Sequence, residues 1–271
     1  MATGSRSLRP RRPVGWVELF VPANLAFLAV DIGIAHSVNE FARWEEWIPV
    51  AISVAAPLVL LLVILRGGPD EIGRRSRTAG FAVGAASVAV GVAGMVLHLQ
   101  SQFFEEQSLH NLVYTAPFVA PLAYAGLGML LVLDRMVDAG SREWAQWVLF
   151  LALGGFAGNF ALSLADHAQN GFFDWKEWIP VAASAVAVGC LLAAVVRPLD
   201  RPFLRVCLGV MAGEAAVGAL GAVFHVVADL PPDGGSFWSG IVYGAPPFAP
   251  MLFADLAVLA AIGLVALLRA E

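Results

Sequence analysis

Eight apolar stretches, each bounded by polar or turn-forming residues, run along this chain at roughly 16–37, 47–66, 79–99, 112–133, 146–168, 178–196, 203–227 and 240–268. Each is close to the ~20 residues that a helix needs to cross a hydrocarbon core, and the last is long enough to tilt or to extend beyond it. The pattern predicts an all-α integral membrane protein with eight transmembrane helices. The first stretch is not read as a cleavable leader: its apolar run is too long for one, and its counterpart at 146–168 is internal.

The polar positions repeat as well. His36, Asn39, Phe41, Trp44, Glu46, Trp47, Ile48, Pro49 and Val50 recur 131 positions later as His167, Asn170, Phe172, Trp175, Glu177, Trp178, Ile179, Pro180 and Val181. Val113, Tyr114, Ala116, Pro117, Ala120 and Pro121 recur 129 positions later as Val242, Tyr243, Ala245, Pro246, Ala249 and Pro250. His98 and His225 match at an offset of 127. Self-similarity at a nearly fixed offset predicts two copies of one unit. The units are expected at 14–133 and 146–271, joined by a cytoplasmic linker at 134–145 and preceded by a disordered, Pro/Arg-rich tail at 1–13. Four helices per unit is an even number, so the two four-helix repeats run parallel, with pseudo-twofold symmetry about the membrane normal.

Composition agrees with a bilayer. The 271 residues are 59% hydrophobic and 14% charged, too little charge to cover a soluble surface of this size. If the segments alternate in direction, fourteen of the sixteen basic residues fall on one side, with only Arg43 and Lys176 on the other. That bias predicts cytoplasmic N- and C-termini, and the Arg-, Ala-, Gly- and Val-rich composition points to a bacterial inner (cytoplasmic) membrane. The inner face is roughly neutral and only flanked by arginines, so it gives no reason to expect nucleic acid. Cys190 and Cys207 lack redox or metal spacing and read as small apolar core residues.

The candidate chemistry lies in the opposite, outer layer. His36, His98, His167 and His225 end their helices there, and Glu46 and Glu177 open two others. Tyr114 and Tyr243 are expected to open the fourth and eighth helices. Two imidazoles and a carboxylate in each unit form a plausible shell for zinc, copper or iron. The candidate metal ligands are therefore His36, Glu46 and His98, and His167, Glu177 and His225. Asn39 and Asn170, three residues after a histidine, would orient a ligand if the helix continued. The four tryptophans of the repeated blocks read as an interfacial belt. Each outer connection carries a net charge of −2, a field that attracts cations. Pro121 and Pro250 remove the backbone donors that would reach the carbonyls of Pro117 and Pro246, which points to a cavity beneath the outer layer. Asp31, Glu214 and Asp255 lie within spans, and their repeat positions hold Leu162, Ser87 and Gly126.

No nucleotide-binding, hydrolase or metalloprotease motif is present, so the sequence names no reaction and leaves open whether the protein is an enzyme. The first reading is a His/Glu transition-metal site serving redox chemistry, hydrolysis or metal handling. The alternatives are a cation- or proton-coupled transporter or channel using the intramembrane acids, a b-type haem protein with His36–His98 and His167–His225 as axial pairs, and a non-catalytic assembly subunit.

Overall fold

The structure is a computed structural model. It describes residues 13–68, 72–100, 104–108, 110–111, 117, 119–169, 171–230 and 236–270. Among these the chain is helical without strands. The helices are α1 (Pro13–Ser37), α2 (Trp47–Gly67), α3 (Arg74–His98), α4 (Leu122–Met136), α5 (Arg142–Gln169), α6 (Trp178–Val196), α7 (Arg201–Ala228), α8 (Phe237–Tyr243) and α9 (Met251–Ala270). Short 3-10 turns at Trp44–Glu46 and Trp175–Glu177 lead into α2 and α6. Seven helices among the described residues are long and apolar enough to cross a membrane: α1, α2, α3, α5, α6, α7 and α9.

Local signals set the ends. Asp200 caps α7, its Oδ1 accepting from the backbone N–H of Phe203 at 3.0 Å. Ser141 caps α5, its Oγ accepting from the N–H of Trp144 at 3.1 Å. The expected linker at 134–145 is shorter in the structure, because α4 runs on to Met136 and α5 begins at Arg142.

The fourth expected segment differs most. Its described helix starts only at Leu122, giving α4 15 residues, while 112–116 and 118, with Tyr114, lie outside the described residues. The eighth segment is split. α8 ends at Tyr243, turns follow, and α9 starts at Met251. All four prolines, Pro117, Pro121, Pro246 and Pro250, therefore precede these helices and do not lie within them. Both helices begin immediately after the second proline. The reason is the missing donors: four residues after each leading proline stands another proline, so no α-helical bond can form there. The backbone makes tighter turns instead, with Ala120 N–H donating to Pro117 O at 3.1 Å and Ala249 N–H to Pro246 O at 3.3 Å.

The core lies along α5. Trp144, Ala145, Val148, Leu149, Ala152 and Phe156 are fully buried at helical spacing. Val17, Val21 and Leu25 of α1 and Ala260 and Leu264 of α9 join the same cluster. Leu58, Leu61, Leu62 and Leu65 of α2 and Val186 and Leu192 of α6 are exposed, as suits helices bathed in lipid chains rather than water.

At the bundle end away from the histidines lies a feature that the sequence reading did not anticipate. Both terminal nitrogens of Arg135 donate to the carboxylate of Glu18, the Nη2–Oε2 bond being 3.1 Å. Trp144 Nε1 donates to Asp134 Oδ1 at 2.6 Å, and Asp134 Oδ2 lies 3.8 Å from Arg135 Nη1. All four side chains are buried.

Candidate functional site

Each repeated block begins with a helix C-cap. After His36 the chain turns into the left-handed region, with φ of 58° at Glu40 and 53° at Phe41. Phe41 N–H donates to His36 O at 3.1 Å, and Glu40 N–H to Ser37 O at 3.1 Å. This pair of bonds is a Schellman cap, with Glu40 where glycine is usual. The second block has the same bonds at 3.1 Å, Phe172 N–H to His167 O and Gly171 N–H to Ala168 O, with glycine in the left-handed position. The cap brings a phenylalanine against the histidine: ring centres are 6.0 Å apart for Phe41 and His36 and 6.3 Å for Phe172 and His167. Those phenylalanines stack in turn on Trp47 and Trp178, at 4.1 and 3.9 Å. These two tryptophans have a specific role in fixing the cap, besides a place at the interface. Trp44 and Trp175 are the more exposed pair.

The 3-10 turn then returns a carboxylate to the histidine. Glu46 Oε2 lies 3.5 Å from His36 Nδ1, and Glu177 Oε2 lies 3.8 Å from His167 Nδ1. Neither oxygen has a hydrogen-bond partner, although both are buried. Asn39 lies past the end of α1, not on a continued helical face, and its Nδ2 donates to Glu46 Oε1 at 3.0 Å. It orients the carboxylate, which in turn faces the imidazole. Asn170 lies outside the described residues. In the second 3-10 turn Asp174 accepts from the backbone N–H of Lys176 and from its ammonium, both at 3.0 Å. The backbone bond foremost, and then the ammonium, holds this carboxyl below its ordinary range.

The second pair of histidines meets the prolines. His98 Nδ1 lies 3.0 Å from Pro117 O, and His225 Nδ1 lies 2.9 Å from Pro246 O. A carbonyl oxygen can only accept, so Nδ1 carries the proton in both rings and the lone pair is on Nε2. The carbonyls that the second prolines leave without an α-helical donor are the ones these imidazoles bind. Glycines make the approach possible. A Cβ at Gly91 would stand 2.8 Å from Pro121 O, and one at Gly218 would stand 2.8 Å from Pro250 O. Gly94 and Gly221 sit one turn on, against the rings of the same prolines. Gly91, Gly94 and His98 share one helical face, as do Gly218, Gly221 and His225. These glycine pairs repeat at the same offset of 127 as the histidines, a signal that the sequence itself carries.

In the first half the two histidines come together, with ring centres 6.2 Å apart and planes at 72°. In the second half His167 and His225 line one cavity of about 260 Å³, together with Pro117, Pro246 and Pro250. A space beneath the proline turns is therefore present. Among the described residues no three His, Cys, Asp or Glu side chains are grouped so as to hold a metal ion by themselves. Tyr243 is 71% exposed at the end of α8 and does not open a membrane helix. Glu214 is buried on α7 with Oε2 lacking a hydrogen-bond partner. Cys190 and Cys207 are free thiols on adjacent helices, Cys207 Sγ lying 3.9 Å from Cys190 O. No protein-family model, curated protein or solved structure matches this chain.

Proposed function

We propose that this is an eight-span membrane protein of two parallel four-helix repeats whose histidine end holds a divalent transition metal. In this reading the histidine end faces away from the cytoplasm, and both termini lie inside a bacterial inner membrane. The observation that carries the reading is the treatment of the four imidazoles. In each half one Nδ1 is bonded to a proline carbonyl and the other is faced by a glutamate. Metal-binding histidines are oriented in this way, through the nitrogen that does not touch the metal. His36, His98, His167 and His225 would then bind through Nε2, with Glu46 and Glu177 behind the first imidazole of each pair. Water or an exogenous ligand would complete the shell, as in sites that keep a position open.

The ring separation fits an ion. Two imidazoles on one metal at about 2.0–2.1 Å per bond have centres roughly 5–6 Å apart, and those of His36 and His98 are at 6.2 Å. A small rotation closes that pair. The second-half cavity, at about 260 Å³, is below the roughly 300–1,000 Å³ of sites for drug-sized ligands, so it suits an ion or one small ring better than a haem.

The test is metal titration of the purified, chelator-stripped protein, followed by elemental analysis. Wild type should bind zinc or another divalent ion at neutral pH and release it as pH falls, because protons compete with the metal for the imidazoles. His36→Ala/His167→Ala should lose binding and keep its helical content. Unchanged metal occupancy in that variant, or none in wild type, rejects the proposal. A second reading, cation- or proton-coupled transport, draws on the unpartnered carboxylate oxygen of Glu214. Under that reading neutralising Glu214 or Asp255 stops flux in proteoliposomes.

A further inference from the structure

We infer that the cavity of the second half binds a neutral, membrane-soluble molecule whose head is a carbonyl-bearing ring, of the quinone class. The inference stands beside the metal reading and does not rest on it. Its central residue is Asn159 of α5, which is 93% buried (7% relative exposure), lines the cavity and has no hydrogen-bond partner for Nδ2. A buried amide donor left unpaired costs about 1–3 kcal/mol, so a missing acceptor is the expected explanation. The shared architecture does not demand the amide. At the position 131 residues earlier stands Leu28, an apolar core residue.

The rest of the wall selects the ligand. Leu162, Val217 and Phe253 make it apolar around the amide. Leu220 and Phe224 also line it, and they are 56% and 49% exposed on the flank of α7. The side wall thus consists of side chains that face the bilayer, and a lipid-soluble molecule can enter between them. Asp166 and Lys176 both line the cavity, and Lys176 is already paired with Asp174. This mixture opposes an anionic head such as a fatty-acid carboxylate and gives no cation preference. Asn159 Nδ2 is the buried donor without a partner; Ser163, His167 and His225 are the other polar side chains of the wall, and the two imidazoles belong to the metal reading. A ring that presents a carbonyl oxygen supplies the acceptor that Asn159 Nδ2 lacks. The space of about 260 Å³ admits one such ring with its tail directed into lipid.

The test is equilibrium binding of decylubiquinone to the full chain in phosphatidylcholine nanodiscs, with decanoate as the charged control and metal content measured in parallel. Wild type should bind one quinone per chain and decanoate at least tenfold more weakly. Asn159→Leu, which installs the first-half residue, should weaken quinone binding at least tenfold and leave metal content unchanged. Should Asn159→Leu not fold, Val217→Phe, which fills the cavity, should have the same effect on quinone. Quinone binding that survives the folded variant, decanoate binding as tight as quinone binding, or no quinone binding by wild type would each overturn the inference. Loss of metal in wild type with quinone binding intact would overturn only the metal reading.

Discussion

The two halves of this chain carry the same residues at the histidine end and different ones at the arginine end. Offsets of 131 and 129 take Glu18 and Arg135 onto Leu149 and Leu264, and Asp134 onto Gly263. One half buries an ion pair there, while the other buries two leucines at 0% exposure. A guanidinium with its carboxylate and a pair of leucines thus occupy corresponding places. The site accepts either, which marks it as a packing position. At the histidine end the cap, the returning glutamate, the glycine pair and the proline carbonyl recur together. Such joint recurrence is expected of parts that orient one another, since each is useless without the next. The same comparison extends to Ser53 and Ser184. Tyr124 bonds Ser53 and also donates to Pro49 O at 2.6 Å. At the position corresponding to Tyr124 the second half has Phe253, and there Ser184 itself donates to Pro180 O at 2.7 Å.

The largest expected effect tests the arginine end. Glu18→Leu or Arg135→Leu alone leaves a buried charge without its partner and should cost about 3–5 kcal/mol. Glu18→Leu/Arg135→Leu combined with Asp134→Asn, which keeps the acceptor for Trp144 Nε1, recreates the leucine pair without leaving a buried charge and should be neutral or more stable than wild type, read as melting temperature in one detergent. A combined variant as unstable as the singles would mean that the ion pair does more than pack. Next come the glycines. Gly218→Ala drives a Cβ against the Pro250 carbonyl and should cost about 1–3 kcal/mol, with Gly91→Ala similar. Alanine at the outward-facing Gly209, where a Cβ meets nothing within 4 Å, should cost nothing. The caps differ by less. Gly171→Ala should destabilise by about 1 kcal/mol, and Glu40→Gly should stabilise by about the same amount, because both positions are left-handed. The smallest effect concerns Asp174, for which the first half has Arg43. Its carboxyl is held below the ordinary range, so its bonds to Lys176 persist at neutral pH and through that range, and are lost only as pH falls below it. Amide exchange at Lys176 should quicken there, and that at Glu45 should not.

How much of this was legible differs between the two ends. Apolar run lengths reveal membrane helices because a single lipid-embedded segment of about 20 residues satisfies its own backbone only as a helix. They do not reveal where a helix starts inside a run, so the breaks at Pro121 and Pro250 needed the proline spacing to be taken as decisive. The repeated His, Glu and Pro were visible as letters. Their mutual orientation was not, because a Schellman cap depends on backbone dihedrals that Glu40 does not announce. The Glu18–Arg135 pair was invisible for another reason. Both residues sit near segment ends, where charge is ordinary, and only packing brings residues 117 apart into contact.

X-ray absorption of the zinc-loaded protein tests the central claim most directly, because it reads the atoms bound to the ion. The account predicts two histidine nitrogens per zinc at about 2.0–2.1 Å, two zinc ions per chain, and loss of the bound zinc in His98→Ala/His225→Ala. A zinc shell of oxygens alone, or one that this double variant leaves unchanged, would contradict it.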